Sequence, residues 1–113
     1  MKYISTRGEA PPLGFEDVLL AGLARDGGLY LPQAWPTLSR ETIAAFAGKP
    51  FHEVALAVME PLTGGAIPRA ELARMTKEAY AGFGHAAVCP LVQIADNRFV
   101  LELFHGPTLA FKD

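Results

Sequence analysis

Lys112 follows Leu109, Ala110 and Phe111 near the end of the 113-residue sequence. A lysine amine is nucleophilic only when neutral, and burial among apolar groups favours that form by penalising the ammonium. The positive end of a helix dipole acts in the same direction. Lysines are mostly exposed, so on these neighbours alone a surface residue is the ordinary reading. Arg7 is a second polar candidate, since a guanidinium suits phosphate or carboxylate recognition, although a surface arginine in a terminal segment needs no function. His85 and Cys89 stand four apart, a spacing that can put two metal ligands on one helix face. Pro90 and the lack of a third ligand nearby argue against zinc, and no metal is expected. Gly82-Phe83-Gly84-His85-Ala86-Ala87 matches a dinucleotide-loop pattern in letters only. It follows a helical stretch and leads into a strand, the reverse of what that motif requires. Cys89 reads as a small buried hydrophobe, and His52-Glu53 as a solvated pair.

The elements that must position these residues follow from periodicity and turn chemistry. Tyr3-Ile4-Ser5-Thr6 is extended, and a loop runs through Pro11-Pro12. Phe15, Val18, Leu19 and Leu23 predict a helix to about Ala24, ended by Asp26-Gly27-Gly28. Leu29-Tyr30-Leu31 is a short extended stretch closed by Pro32. Ser39 caps a helix carrying Ile43, Phe46 and Ala47, which Gly48 and Pro50 stop. Phe51, Val54, Ala55, Val58 and Met59 form an apolar stripe up to Pro61. Pro68 opens a further helix with Leu72, Met75 and Ala79 on its apolar side. Beyond Gly84 the pattern becomes β-like: Leu91–Ile94 and Phe99–Phe104 are expected strands joined through Asp96-Asn97. His105-Gly106-Pro107 breaks the second strand, and Thr108 is placed to cap a helix starting at Leu109. Lys112 then sits at a strand–loop–helix junction, which can project its amine into a cleft beside a sheet. The expected fold class is α+β, mainly helical with short strands.

Composition narrows the function classes. Half the residues are hydrophobic and 19% are charged, which suits a folded domain rather than a disordered one. Ten Lys plus Arg against 12 Asp plus Glu leave a net charge of −2, so no basic stripe exists for nucleic acid. A single cysteine excludes an internal disulfide framework and fits a reducing compartment. No secretory signal follows Met1-Lys2, and no apolar run nears the ~20 residues that span a bilayer. The expected location is the cytoplasm, with no nucleic-acid or membrane partner. The sequence ends at Phe111-Lys112-Asp113 in what reads as mid-element, so it is expected to be the front part of a longer protein.

The run Glu102-Leu103-Phe104-His105-Gly106-Pro107-Thr108-Leu109-Ala110-Phe111-Lys112-Asp113 closely resembles the cofactor-lysine motif of the threonine synthase family. That family belongs to the fold-type-II pyridoxal-phosphate enzymes. Ser5-Thr6-Arg7-Gly8 and Gly22-Leu23-Ala24-Arg25-Asp26-Gly27-Gly28-Leu29-Tyr30-Leu31-Pro32 also look like it, in the right order. The resemblance implies that Lys112 is both the catalytic lysine and the residue holding pyridoxal 5'-phosphate as a Schiff base. It implies O-phospho-L-homoserine as substrate, converted with water to L-threonine and phosphate. It further implies a helical subdomain at 1–90, and at 91–113 the start of a cofactor-binding α/β domain whose remainder would supply the phosphate cradle. His105 and Thr108 receive no catalytic role. Two alternatives stay open: a non-catalytic helical interaction module, and a related pyridoxal-phosphate dehydratase sharing the lysine motif.

Overall fold

The computed structural model describes residues 1–113 and contains eight elements. They are β1 (Tyr3–Ser5), α1 (Phe15–Ala21), β2 (Tyr30–Pro32), α2 (Arg40–Ala44), α3 (Phe51–Thr63), α4 (Arg69–Ala81), β3 (Leu91–Ala95) and β4 (Arg98–Leu101). The architecture is mixed α+β, with helices outweighing short strands, as the sequence implied. β1 and β2 pair antiparallel, Tyr3 opposite Pro32 and Ser5 opposite Tyr30. β3 and β4 form an antiparallel hairpin whose turn places Asn97 at φ 54°, with a register irregularity between Gln93 and Ala95. No helix is long and apolar enough to cross a membrane.

Local chemistry accounts for several boundaries, and tertiary contacts move others. The Ser39 hydroxyl oxygen accepts from the Thr42 N–H at 3.1 Å, the cap expected for α2. α1 stops at Ala21 rather than Ala24, because Gly22 adopts φ 68° and returns its N–H to the Val18 carbonyl. α3 does not stop at Pro61 but continues to Thr63. Proline removes one helical hydrogen bond, so the two helical residues beyond it need support from elsewhere. The Tyr3 hydroxyl supplies it by donating to the Leu62 carbonyl at 2.6 Å, while Thr63 donates to the Glu60 carbonyl at 2.8 Å.

In α4 the buried face differs from the expected Leu72-Met75-Ala79 stripe. Leu72 and Thr76 are buried and Tyr80 half-buried, whereas Met75 and Ala79 are exposed. The spacing of four follows from an antiparallel partner: Phe51 at the start of α3 meets Tyr80 at the end of α4, rings edge-on with centroids 4.8 Å apart. Tyr80 in turn meets Phe83 at 5.4 Å. At the other end of the helix pair Arg69 binds Glu60.

A third unit joins the two amino-terminal motifs. The Asp26 carboxylate accepts hydrogen bonds from the Ser5 hydroxyl (2.8 Å), the Gly28 N–H (2.9 Å), and the N–H groups of Glu9 (3.0 Å) and Ala10 (2.9 Å). Arg7 donates to the Asp26 carbonyl at 2.9 Å. Gly28 is required for space, since a Cβ there would overlap the Ser5 hydroxyl. Burial pushes the Asp26 carboxyl up, but the bonds from Gly28, Ser5, Glu9 and Ala10 outweigh it and hold the group below its usual range.

The whole is loosely closed. The accessible surface is 8055 Å², against about 6,000 Å² for a compact protein of this mass. The radius of gyration is 16.5 Å, against about 13 Å for a compact domain of this length. Every residue of β3 and β4 is exposed.

Two outcomes follow. Leu72→Ala, at a position only 3% exposed, costs about 2–4 kcal/mol in urea unfolding. Asp26→Asn lowers the melting temperature at pH 7. A depressed carboxyl stabilises the fold above its unfolded value of about 3.9 and loses that contribution as pH falls through the lower folded value. The gap between wild type and Asp26→Asn therefore narrows below about pH 4 in thermal melts; a gap independent of pH refutes the ionic role.

Candidate functional site

The loop carrying Lys112 leaves β4 under tight control. β4 ends at Leu101, before the expected Phe104, yet the Glu102 N–H still donates to the Pro90 carbonyl at 3.0 Å. Three residues on, the His105 carbonyl accepts from the Gly84 N–H at 2.8 Å. The His105 imidazole is held by Glu102, Nε2 to Oε2 2.7 Å, with the two side chains only 19% and 25% exposed. An ionised carboxylate only accepts, so Nε2 carries the hydrogen of that bond. The His105 ring also meets those of His85 (5.1 Å) and Phe104 (4.6 Å).

Residues 109–112 do not form the expected helix; Gly106 to Asp113 fold as turns, with Leu109 at φ 60°. The Asp113 side chain offers a competing arrangement. Its carboxylate accepts from the Thr108 N–H at 2.9 Å and from the Thr108 hydroxyl, and it folds against buried Gly106, where a Cβ would overlap it. Thr108, expected as a helix cap, is thus the partner of Asp113. Lys112 is exposed, joins no ion pair, and lies 5.8 Å from the centroid of the Phe111 ring. The helix terminus expected beside its amine is absent within these residues, and the amine is exposed, as its neighbours alone would suggest.

The cavities do not converge on that amine. An apolar pocket of about 130 Å³ is lined by Phe83, Val88, Cys89, Leu103, Phe111 and others, with Lys112 outside the lining. It is smaller than the roughly 300 Å³ at which ligand pockets begin. A cavity of about 330 Å³ lies elsewhere, between Met1, the start of α1 and the Gly64–Gly65 turn. Arg7 belongs to the Asp26 unit and shares no hydrogen bond or ion pair with residues 106–113. His85 faces His105 rather than Cys89, and no group of three or more His, Cys, Asp or Glu side chains is arranged to hold a metal. The Glu102–His105 pair was not anticipated. Its signal was a carboxylate three residues before a strand-breaking His-Gly-Pro.

A family model described as the threonine synthase N terminus matches residues 2–80. A threonine synthase of Pseudomonas aeruginosa is 58% identical over all 113 residues, which cover 24% of its length. One from Methylobacillus glycogenes is 41% identical, with the whole chain covering 26% of it. Among solved structures, pyridoxal-phosphate-bound threonine synthase from Brucella melitensis superposes with a TM-score of 0.93 at 69% identity, covering 99% of this chain and 24% of that one. Threonine synthase from Escherichia coli gives a TM-score of 0.84 at 28% identity, covering 99% of this chain and 25% of that one. The chain spans about a quarter of the length of the relatives it matches.

Proposed function

The chain belongs to the threonine synthase N-terminus family, and on that premise we propose that it supplies the amino-terminal layer and the cofactor lysine of an enzyme making L-threonine. The observation that carries this reading is the match to threonine synthases across the whole chain, in a span that includes Lys112. In the proposed enzyme O-phospho-L-homoserine and water become L-threonine and phosphate, a pyridoxal-phosphate-dependent lyase reaction at the end of threonine biosynthesis. Residues 1–90 act as the helical subdomain and 91–113 open the cofactor domain. The single free cysteine is in keeping with a cytoplasmic setting.

The residues present suit one end of pyridoxal phosphate. The Lys112 amine is free of carboxylates and open to an aldehyde carbon, which supports the reading that Nζ is the atom that would hold the cofactor covalently. When bound, the cofactor supplies an electron sink beside the substrate's amino carbon. Thr108 and Asp113 tie off the loop on either side of residues 109–112 and thereby limit where Lys112 reaches. A free Lys112 amine can also accept and return a proton. The cofactor's phosphate and ring nitrogen need partners and volume that the 130 Å³ pocket does not offer, so these come from the remainder of the enzyme.

The test uses the gene product that continues past Asp113. Incubation with pyridoxal phosphate and borohydride, then peptide mapping, is expected to label Lys112. Labelling scattered over Lys2, Lys49, Lys77 and Lys112 alike would remove Lys112 from the site and favour an interaction module. Lys112→Ala is expected to lower turnover of O-phosphohomoserine by at least about 100-fold, the share of a positioned base alone. Faster turnover of free serine or threonine than of O-phosphohomoserine would indicate a dehydratase. The 113-residue chain by itself should show no saturable turnover, since one amine without positioning supplies little catalysis.

A further inference from the structure

We propose that Glu102 and His105 form a positioning pair that fixes the direction in which the Lys112 loop leaves β4. This rests on the reading of Lys112 as the cofactor lysine and assigns neither residue contact with the reacting atoms. His105 is the last residue before the loop to be held through both backbone and side chain. Its carbonyl takes the Gly84 N–H at 2.8 Å, and its Nε2 meets the Glu102 carboxylate at 2.7 Å. With both fixed, the peptide entering Gly106 has one orientation. Gly106 is buried and lies against the side chain of Asp113, the residue next to Lys112. Contacts therefore run from Glu102 through His105 and Gly106 to Asp113 without a gap.

The placement of the pair argues against an idle surface contact. Its side chains are three-quarters or more withdrawn from water, where an unpaired carboxylate is costly. The neighbouring rings of His85 and Phe104 restrict the imidazole plane further. Glu102 also sits at the exit of the strand, its N–H bonded to the Pro90 carbonyl, so the anchor of the pair is part of the hairpin.

The experiment uses the full gene product and follows the rate at which pyridoxal phosphate attaches at Lys112, by absorbance and by borohydride mapping. His105→Leu and Glu102→Ala are expected to slow attachment at least about tenfold while circular dichroism stays native, as misplaced reactive groups do. His105→Gln, whose amide nitrogen can stand at the Nε2 position, is expected to remain within about threefold of wild type. A folded His105→Leu protein attaching at the wild-type rate overturns the proposal, as does His105→Gln being as impaired as His105→Leu. If the Leu and Ala variants do not fold, nitrogen NMR of His105 in the unaltered protein decides. A hydrogen held on Nε2 throughout, in the Nε2–H tautomer or the imidazolium, supports the pair, and a population with bare Nε2 overturns it. Lys112→Ala is the separate control: attachment that persists at the wild-type rate refutes the lysine assignment itself.

Discussion

The Asp26 carboxylate is the contact on which the amino-terminal third depends. β1 and β2 are three residues each, too short to hold one another in water. Four donors converging on one side chain fix the loop after β1 against the turn before β2. That anchors Tyr3, whose hydroxyl reaches Leu62 in the two residues by which α3 runs past its proline. α3 then presents Phe51 to Tyr80, Tyr80 meets Phe83, and Gly84 next to it binds the His105 carbonyl. The order imposed by one carboxylate near the start is thus connected, contact by contact, to the loop that carries Lys112.

Features set by neighbouring residues were legible in the sequence. Ser39 caps α2, although α2 ends at Ala44 and leaves the expected Phe46 and Ala47 in the turn that runs to Gly48; Asp96-Asn97 turns the hairpin, and the strands at Tyr3 and Tyr30 lie where extended residues were expected. Features set by distant partners were not. Nothing near Pro61 signals that a tyrosine 59 residues away supports the helical residues beyond it. The buried face of α4 depends on which side α3 occupies, and a helical apolar stripe allows either Met75 or Thr76 to face inward. The helix expected at Leu109 gave way to Asp113, whose side chain competes for Thr108. At the site, the resemblance singled out Lys112, whereas residue spacing missed Glu102–His105. A separation of three residues suggests a helix face, and here it spans the end of a strand.

The remaining constraint is surface. About 2,000 Å² beyond a compact protein's share is exposed, and much apolar area lies on the hairpin leading into the Lys112 loop. Leu91, Ile94, Phe99 and Leu101 read as strand residues because their side chains suit burial, yet here all face water. A two-stranded hairpin with both faces wet is marginal alone and is stabilised when its strands and faces are covered. The same cover is what the lysine requires on the proposed function. An amine in water is a poor nucleophile at neutral pH, and the local sequence offers only Phe111 beside it. Surfaces that bury the hairpin next to residues 102–113 would exclude water from Lys112 as well. On the proposed function, covering the hairpin and activating the lysine would be one folding event, with Glu102–His105 at the joint between them.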